Sequence, residues 1–207
     1  MTKTVLVLST LTVAALALGL SLDMGVPDPG NAVTAAALRD AGGQDVHGDA
    51  DAAIGDVVAE VEGLNALRSS LARSFVGEPD QETFARVCKP VGARAKQLAM
   101  ENGWKVAQLA ERYRNPEHKL DYEALRVFKM MEDDPALLGM WVKTSMDGEA
   151  GVRYFRRITV EPACLACHGP KDSRPQFVKK GYPDDRAYGF EVGDLRGLFS
   201  VFVADSE

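Results

Sequence analysis

Cysteine and histidine are scarce in this sequence of 207 residues, which contains only three of each. Two of the cysteines, Cys164 and Cys167, are separated by two residues, and the third, Cys88, lies far from them. A structural zinc site that begins with a Cys-x-x-Cys pair needs a second pair of ligands, and only Cys88 is left to contribute. The shortage of cysteine therefore argues against a structural zinc site.

An excess of positive charge is also missing, because the net charge is -6. Non-specific binding to nucleic acid needs a basic surface, so we expect no nucleic-acid partner. No internal repeat divides the chain. Hydrophobic residues make up 46% of the sequence, which is enough for a buried core, and the length suits one domain plus a targeting segment.

Long apolar runs are missing except at the N-terminus, where residues 5–22 contain no charged side chain. Such a run is either a signal peptide or a single transmembrane anchor. The run has no clean A-x-A cleavage site, which favours a retained anchor. We assign residues 1–22 to a signal peptide or membrane anchor, and both alternatives place the remainder outside the cytoplasm.

The next segments predict a spacer followed by helices. Residues 23–51 are rich in proline, glycine, alanine and aspartate, and they predict a flexible spacer. Residues 52–75 predict a long helix, whose apolar stripe from Ile54 to Leu71 would either pack on the domain's own sheet or join two chains in a homodimer. Further helices are predicted from Asp80 to Met100 with an interruption at Pro90, from Lys105 to Tyr113, and from Tyr122 to Met131. Asp80 is expected to be the N-cap of the first of these.

Alternating apolar residues in the second half of the chain predict strands. Residues 138–146 and 151–160 are expected to form a hairpin around the Asp147-Gly148 turn. Two more strands are predicted at residues 187–192 and 196–204. Helices followed by antiparallel strands indicate an α+β domain over residues 52–207.

The stretch Cys164-Leu165-Ala166-Cys167-His168 matches Cys-x-x-Cys-His, the attachment signature of a c-type haem. In that chemistry the two thiols form thioether bonds to the haem vinyl groups, and the histidine ligates the iron. The alternative is a redox dithiol of the thioredoxin type, which is expected in a cytosolic βαβ unit rather than in an exported chain. The sequence therefore predicts one covalent haem c, with Cys164 and Cys167 as attachment sites and His168 as the proximal ligand.

Several short motifs, in the same order, resemble those of the c-haem PAS-like sensor domains of bacteria and cyanobacteria, a family catalogued as a domain of unknown function. The likeness covers roughly residues 50–205 and includes Cys88, Gly103-Trp104-Lys105-Val106, Tyr113-Arg114-Asn115-Pro116, residues 164–169, residues 182–190 and Gly193-Asp194-Leu195-Arg196-Gly197. The resemblance implies a PAS-like antiparallel sheet with long N-terminal helices, which carries a covalent haem and faces the periplasm. Family members often precede histidine kinases, whereas we expect a stand-alone member here because no transmitter follows Ala204.

For the sixth iron ligand the candidates are Cys88, His118, several methionines, or no side chain. Cys88 is favoured because it is the remaining thiol, lies on an apolar helical face, and matches the helix cysteine that the resemblance implies. A ferric ion would lower the pKa of the thiol and hold it as thiolate. The alternative is that Cys88 is a small buried hydrophobic residue, as free cysteines commonly are. His118 lies in a polar run, which favours a solvated side chain.

The carboxylates of a haem need donors or solvent, and Arg114, Tyr154 and Arg156 are the candidate donors. Tyr154 and Arg156 immediately precede the motif and are expected to share one face of a strand. The alternative for Tyr154 and Arg156 is a solvated strand edge.

We therefore expect a periplasmic or periplasm-facing membrane protein with one haem, which senses redox state or a diatomic gas through a change of axial ligand. It would signal to a redox or signalling partner through its N-terminal helix. A periplasmic electron-transfer cytochrome c is the alternative, and a haem enzyme such as a peroxidase is a third class. An enzyme needs an open iron site with a positioned acid or base, and no distal histidine is evident, so we expect no enzymatic activity.

Overall fold

A computed structural model describes residues 46–205 of the chain, with side chains from residue 54 onward. The predicted targeting segment, residues 1–22, and most of the predicted spacer, residues 23–51, lie outside the described residues. Within the described part, no helix is both long enough and apolar enough to cross a membrane.

Helices dominate the first half of the described chain. The long helix α1 spans Val46–Arg73 and therefore begins six residues before the predicted start at Ala52. Three more helices precede the strand hairpin and two short ones follow it: α2 Gln81–Val87, α3 Lys89–Asn102, α4 Tyr122–Asp133, α5 Leu165–His168 and α6 Gln176–Gly181. Single 3-10 turns occur at Pro116–His118, Pro162–Cys164 and Lys171–Ser173.

Four antiparallel strands form one sheet in the order β1-β4-β3-β2. The strands are β1 Lys105–Leu109, β2 Gly139–Met146, β3 Glu149–Thr159 and β4 Leu195–Ala204. The β2–β3 hairpin turns at Asp147 and Gly148, which both have positive φ, as a tight hairpin turn requires. The first strand pairs with the last, so segments far apart in sequence meet in the sheet. The prediction of an α+β fold is confirmed.

Two helices cover the two faces of the sheet. On α1, Val57, Val61 and Leu64 are almost fully buried against one face. On α4, Val127 and Met131 are buried against the opposite face. Since successive strand residues point to opposite faces, neighbouring residues of β3 contribute to different cores. The stripe on α1 therefore packs on the chain's own sheet, which is one of the two alternatives that the sequence left open.

The helix predicted at residues 105–113 is wrong, because Lys105–Leu109 forms strand β1. Gly103 ends α3 in the left-handed conformation, with a φ of 70°, and turns the chain toward the sheet. Pairing with β4 then overrides the helical pattern of a five-residue segment. The strand predicted at residues 187–192 is also wrong, because that segment is irregular and its backbone bonds elsewhere.

The predicted interruption at Pro90 is confirmed, because α2 ends at Val87 and α3 begins at Lys89. Pro90 occupies the first turn of α3, where its missing N–H leaves no helical hydrogen bond unmade. Asp80 caps α2 as expected, with its carboxylate accepting from the Thr83 N–H at 2.7 Å. Cys88 is therefore the single residue that joins two helices.

The packing of α1 on the sheet predicts that Leu64→Ala is strongly destabilising. Leu64 is 1% exposed, so its truncation removes buried contacts and leaves a cavity, at a cost of about 2–5 kcal/mol. Leu138→Ala is the matched control, because Leu138 is 55% exposed and its loss should cost less than about 0.5 kcal/mol. Urea unfolding followed by circular dichroism measures both. Equal effects would mean that α1 does not pack as described.

Candidate functional site

A cavity of about 340 Å³ lies between the first three helices, the β1–β4 edge of the sheet and the Cys-x-x-Cys-His motif. This volume is within the range of about 300–1,000 Å³ that is usual for cofactor sites. Most of the lining side chains are apolar. The charged groups among the described lining residues are three arginines, Arg68, Arg114 and Arg196, and the lining includes no carboxylate.

All three functional residues of the motif lie in the cavity wall. Strand β3 delivers the chain to the Pro162–Cys164 turn, and α5 follows at once, so Cys164, Cys167 and His168 border the same space. Cys164 Sγ accepts from the Glu161 N–H at 3.4 Å, and the guanidinium of Arg68 lies 3.7 Å away. The motif thus presents two thiols and an imidazole to one cavity.

The imidazole of His168 has a fixed orientation. Its Nδ1 lies 2.7 Å from the carbonyl oxygen of Ala187, which assigns the proton to Nδ1 and leaves Nε2 with a free lone pair. Burial lowers the pKa of His168 well below its usual value, and the cations Arg196 and Arg114 lower it further. Phe190 packs edge-on against the ring at 6.1 Å. His168 is therefore a neutral imidazole suited to metal ligation.

The segment predicted as a strand at residues 187–192 instead lies over the motif. The N–H groups of Gly189 and Phe190 donate to the carbonyls of Gly169 and His168 at 2.7 and 3.1 Å. Val160, Ala187 and Phe190 form a small buried cluster against which Cys164 and Leu165 pack. In a strand these backbone N–H groups would bond to a neighbouring strand. Here they bond to carbonyls at the end of α5.

A buried ion-pair network supports the same region. The carboxylate of Asp185 is fully buried, and it accepts from Arg114 at 3.2 Å and from Arg174 at 2.7 Å. Arg114 also donates to the Cys167 carbonyl at 2.8 Å. Burial raises the pKa of Asp185, but the hydrogen bonds from Arg174 and the Ala187 backbone outweigh that effect and lower it below 3.8. Arg114 therefore lies in the cavity wall as expected, and its guanidinium is already bound to the carboxylate of Asp185.

Cys88 borders the cavity from the side of the first three helices. The apolar helical stripe suggested that Cys88 packs in the core, but its side chain is exposed. Surrounding protein nevertheless removes much of its water, and this burial, reinforced by the nearby Cys167, raises the pKa of its thiol to about 11. Phe84, one turn earlier, packs against Phe177 of α6 and against Tyr182, which follows α6.

Two of the candidate carboxylate donors, Tyr154 and Arg156, lie away from the cavity. Both are on the face of β3 that packs under α1, as their strand spacing predicted, but this face is used for structure. Tyr154 stacks on Trp141 at 4.9 Å in the core, and Arg156 pairs with Glu62 on α1 at 3.0 Å. The prediction failed because alternation gives the face of a strand and does not identify what covers it.

Arg196, Arg68 and His118 also line the cavity, although the sequence predicts no site role for either arginine and a solvated side chain for His118. The carbonyl of His118 accepts from the Ala110 N–H at 2.8 Å, which holds the Pro116–His118 turn against β1. Arg196 could have been predicted as a site residue, because it belongs to the Gly-Asp-Leu-Arg-Gly motif of the family resemblance. No local signal pointed to Arg68, which reaches the cavity only because α1 crosses the motif.

Comparison with known proteins gives one family and one structure. A family model described as Tll0287-like matches residues 44–204. A solved structure, described as the crystal structure of the cyanobacterial heme-protein Tll0287, is 43% identical with a TM-score of 0.66. The similarity covers 74% of this chain and 96% of that one. No curated protein matches the chain.

The buried network predicts that Asp185→Asn destabilises the fold by about 3 kcal/mol or more, because Arg114 and Arg174 lose their shared anion. Asp184→Asn is the matched control, since the Asp184 side chain is exposed. Because the folded-state pKa of Asp185 lies below 3.8, its stabilisation is complete above that pH and is lost as the pH falls through the folded pKa. The difference in free energy of unfolding between wild type and Asp185→Asn, measured by denaturant titration, should therefore become smaller below about pH 3.8. A difference that stays constant into acid would contradict this assignment.

Proposed function

This chain belongs to the Tll0287-like family, and we propose that it binds one covalent haem c in the described cavity and senses redox state or a diatomic gas. The observation that carries the proposal is that Cys164, Cys167 and His168 line one cavity, with Nε2 of His168 free to bind iron. The similar structure is named a heme-protein, which supports the same cofactor.

The residues present fit such a group. The wall is mostly apolar, which suits a porphyrin, and its cationic groups suit the two carboxylates that a haem carries. Gly92, one turn after Cys88, lines the cavity without a side chain, and a Cβ built there meets no atom within 4 Å. The wall therefore leaves open space beside the thiol.

Each residue has a separate role in this proposal. Cys164 and Cys167 would hold the group through thioether bonds, and His168 Nε2 would be the proximal ligand. Cys88 Sγ would be the sixth ligand and would give up its proton on binding, since without a metal its pKa is about 11. A bound haem supplies an iron whose oxidation state and ligation can both change.

A link between the motif and α1 supports sensing. Glu161, which begins the motif turn, accepts hydrogen bonds from Arg68, Ser69 and Arg73 at 2.9, 2.9 and 3.0 Å. Arg68 and Glu161 are both mostly buried, at 15% and 18% exposure, so this pair is shielded from solvent. A displacement of the motif would therefore act directly on α1, the described element nearest in sequence to the proposed anchor.

Several finer points belong to the same proposal. We interpret the sheet as PAS-like, supported by its antiparallel order β1-β4-β3-β2, in which the first strand pairs with the last. Residues 1–22 would export the chain to the periplasm, cleaved or retained as an anchor, and this rests on the sequence alone. We propose no enzymatic activity. Electron transfer is the second candidate function, favoured by His118, because a second histidine in the cavity wall could provide a fixed ligand pair.

Covalent attachment predicts that the purified protein keeps its haem through acid-acetone extraction when it is produced in a host with c-type maturation. Cys164→Ser and Cys167→Ser should each leave one thioether bond, and the double variant should lose the haem on extraction. His168→Ala should retain the bonds and change the absorption spectrum. Complete loss of haem from the wild-type protein on extraction would overturn the proposed attachment.

Thiolate ligation predicts that Cys88→Ser raises the midpoint potential and alters the ferric spectrum. An anionic thiolate stabilises the ferric state, and each tenfold change in relative affinity for the two iron states is about 59 mV for one electron. We therefore expect a rise of tens of millivolts or more in a spectroelectrochemical titration. On reduction, Cys88 Sγ is expected to take up a proton and leave, so the reduced wild-type protein should bind CO.

Two variants serve as comparisons for Cys88→Ser. Met130→Leu changes a half-exposed side chain outside the cavity and should alter neither potential nor spectrum. His118→Gln should leave the ferric spectrum unchanged if Cys88 is the ligand. If His118→Gln alters the spectrum and Cys88→Ser does not, the electron-transfer function replaces the sensor.

A further inference from the structure

Arg196 differs from the other two arginines of the cavity wall in its partners. Arg68 pairs with Glu161 at 2.9 Å, and Arg114 pairs with Asp185 at 3.2 Å. Among the described residues, no carboxylate lies within 4 Å of the Arg196 guanidinium. To the described residues, its side chain makes one hydrogen bond, from Nη1 to the carbonyl of Arg112 at 3.1 Å. The guanidinium of Arg196 therefore has most of its N–H donors available.

The surroundings of Arg196 make an unpaired cation costly. Its pKa is lowered to about 10, mainly by burial and then by the nearby charge of Arg114, while the charge of Asp185 opposes this shift. The described cavity wall contains no carboxylate that could compensate. Arg196 is partly buried, and a charge that is withdrawn from water without a counter-charge is unfavourable unless an anion binds to it.

The position of Arg196 is fixed by the strand that carries it. It is the second residue of β4, and Gly197 next to it approaches β1 so closely that a Cβ there would lie 2.4 Å from the Leu109 carbonyl. The guanidinium lies 5.3 Å from the ring of Phe190, which also contacts His168. Arg196 therefore presents its donors from a rigid strand, next to the ring that supports the proposed proximal ligand.

We propose that Arg196 binds a carboxylate inside the cavity, and that this carboxylate is a propionate of the haem. The inference rests on the proposed haem function and adds the residue that orients the group within the site. A guanidinium has a planar fork of N–H donors that matches a carboxylate in a bidentate pair. Arg114 cannot serve equally, because its guanidinium is already bound to Asp185 and to the Cys167 carbonyl.

The test uses the matured haem protein and resonance Raman spectroscopy of the propionate bending band. In wild type we expect the band at the position of a charge-paired carboxylate, and in Arg196→Gln at that of a solvated one. Arg196→Lys keeps the cation but loses the fork, so its band should lie between the two. Arg126→Gln removes an exposed arginine of α4 outside the cavity and should leave the band unchanged.

The source of the carboxylate is tested with excess sodium acetate. If a propionate occupies Arg196, acetate should change neither the Raman band nor the absorption spectrum of the wild-type protein. An acetate-dependent change that Arg196→Gln abolishes would assign the site to a free carboxylate and overturn the propionate assignment.

Haem content, measured in every variant, separates the two proposals. A wild-type protein without haem after maturation contradicts the proposed function itself. A wild-type protein with haem whose propionate band already lies at the solvated position overturns only the role of Arg196. That second result needs no variant, so the inference stays testable if Arg196→Gln fails to fold.

Discussion

The carboxylate of Asp185 is the group on which the geometry of the motif depends. It is fully buried between Arg114 and Arg174, and Arg114 in turn donates to the Cys167 carbonyl. The same carboxylate accepts from the Ala187 N–H at 2.9 Å, while the Ala187 carbonyl accepts from His168. One anion thus fixes both the end of the motif and the acceptor that sets the histidine tautomer. A buried pair of this kind contributes little net stability over an apolar replacement, but it specifies one arrangement of its partners.

The two faces of the sheet are covered by α1 and α4, and their cores bury apolar side chains beside this network. On β3, Arg153 and Arg157 point to the α4 side, where Arg153 bonds to Ser200 and Asp121 at 2.7 Å each. Tyr154 and Ile158 point to the α1 side and complete an apolar core. The cavity forms at one end of the sheet face that α1 covers. There, α2 and α3 line an open space instead of filling it with core side chains. Burial elsewhere therefore offsets the cost of keeping charged groups around an open space.

Local sequence signals predicted the features that depend on neighbouring residues. The Cys-x-x-Cys-His spacing, the break at Pro90, the Asp80 cap and the Asp147-Gly148 hairpin all follow from chemistry within a few positions. The errors depend on distant partners: Lys105–Leu109 becomes a strand because β4, some ninety residues later, pairs with it. Arg196 was missed as a cavity residue for the same reason, since its lack of a carboxylate partner is visible only when the cavity is assembled. The α+β class was predictable because it needs only the order of the elements.

The two sides of the cavity differ in how firmly they hold their proposed ligands. His168 is constrained by its Nδ1 hydrogen bond, by Phe190 and by the backbone bonds of Gly169 and Phe190. The backbone N–H of Cys88 donates to the carbonyl of Phe84, but its thiol makes no hydrogen bond to any described residue. Cys88 joins two helices at a point where Pro90 lacks an N–H, so a shift of this turn breaks few backbone bonds. A switch needs one ligand that stays and one that leaves, and under the proposed function the helix break would make Cys88 the ligand that leaves.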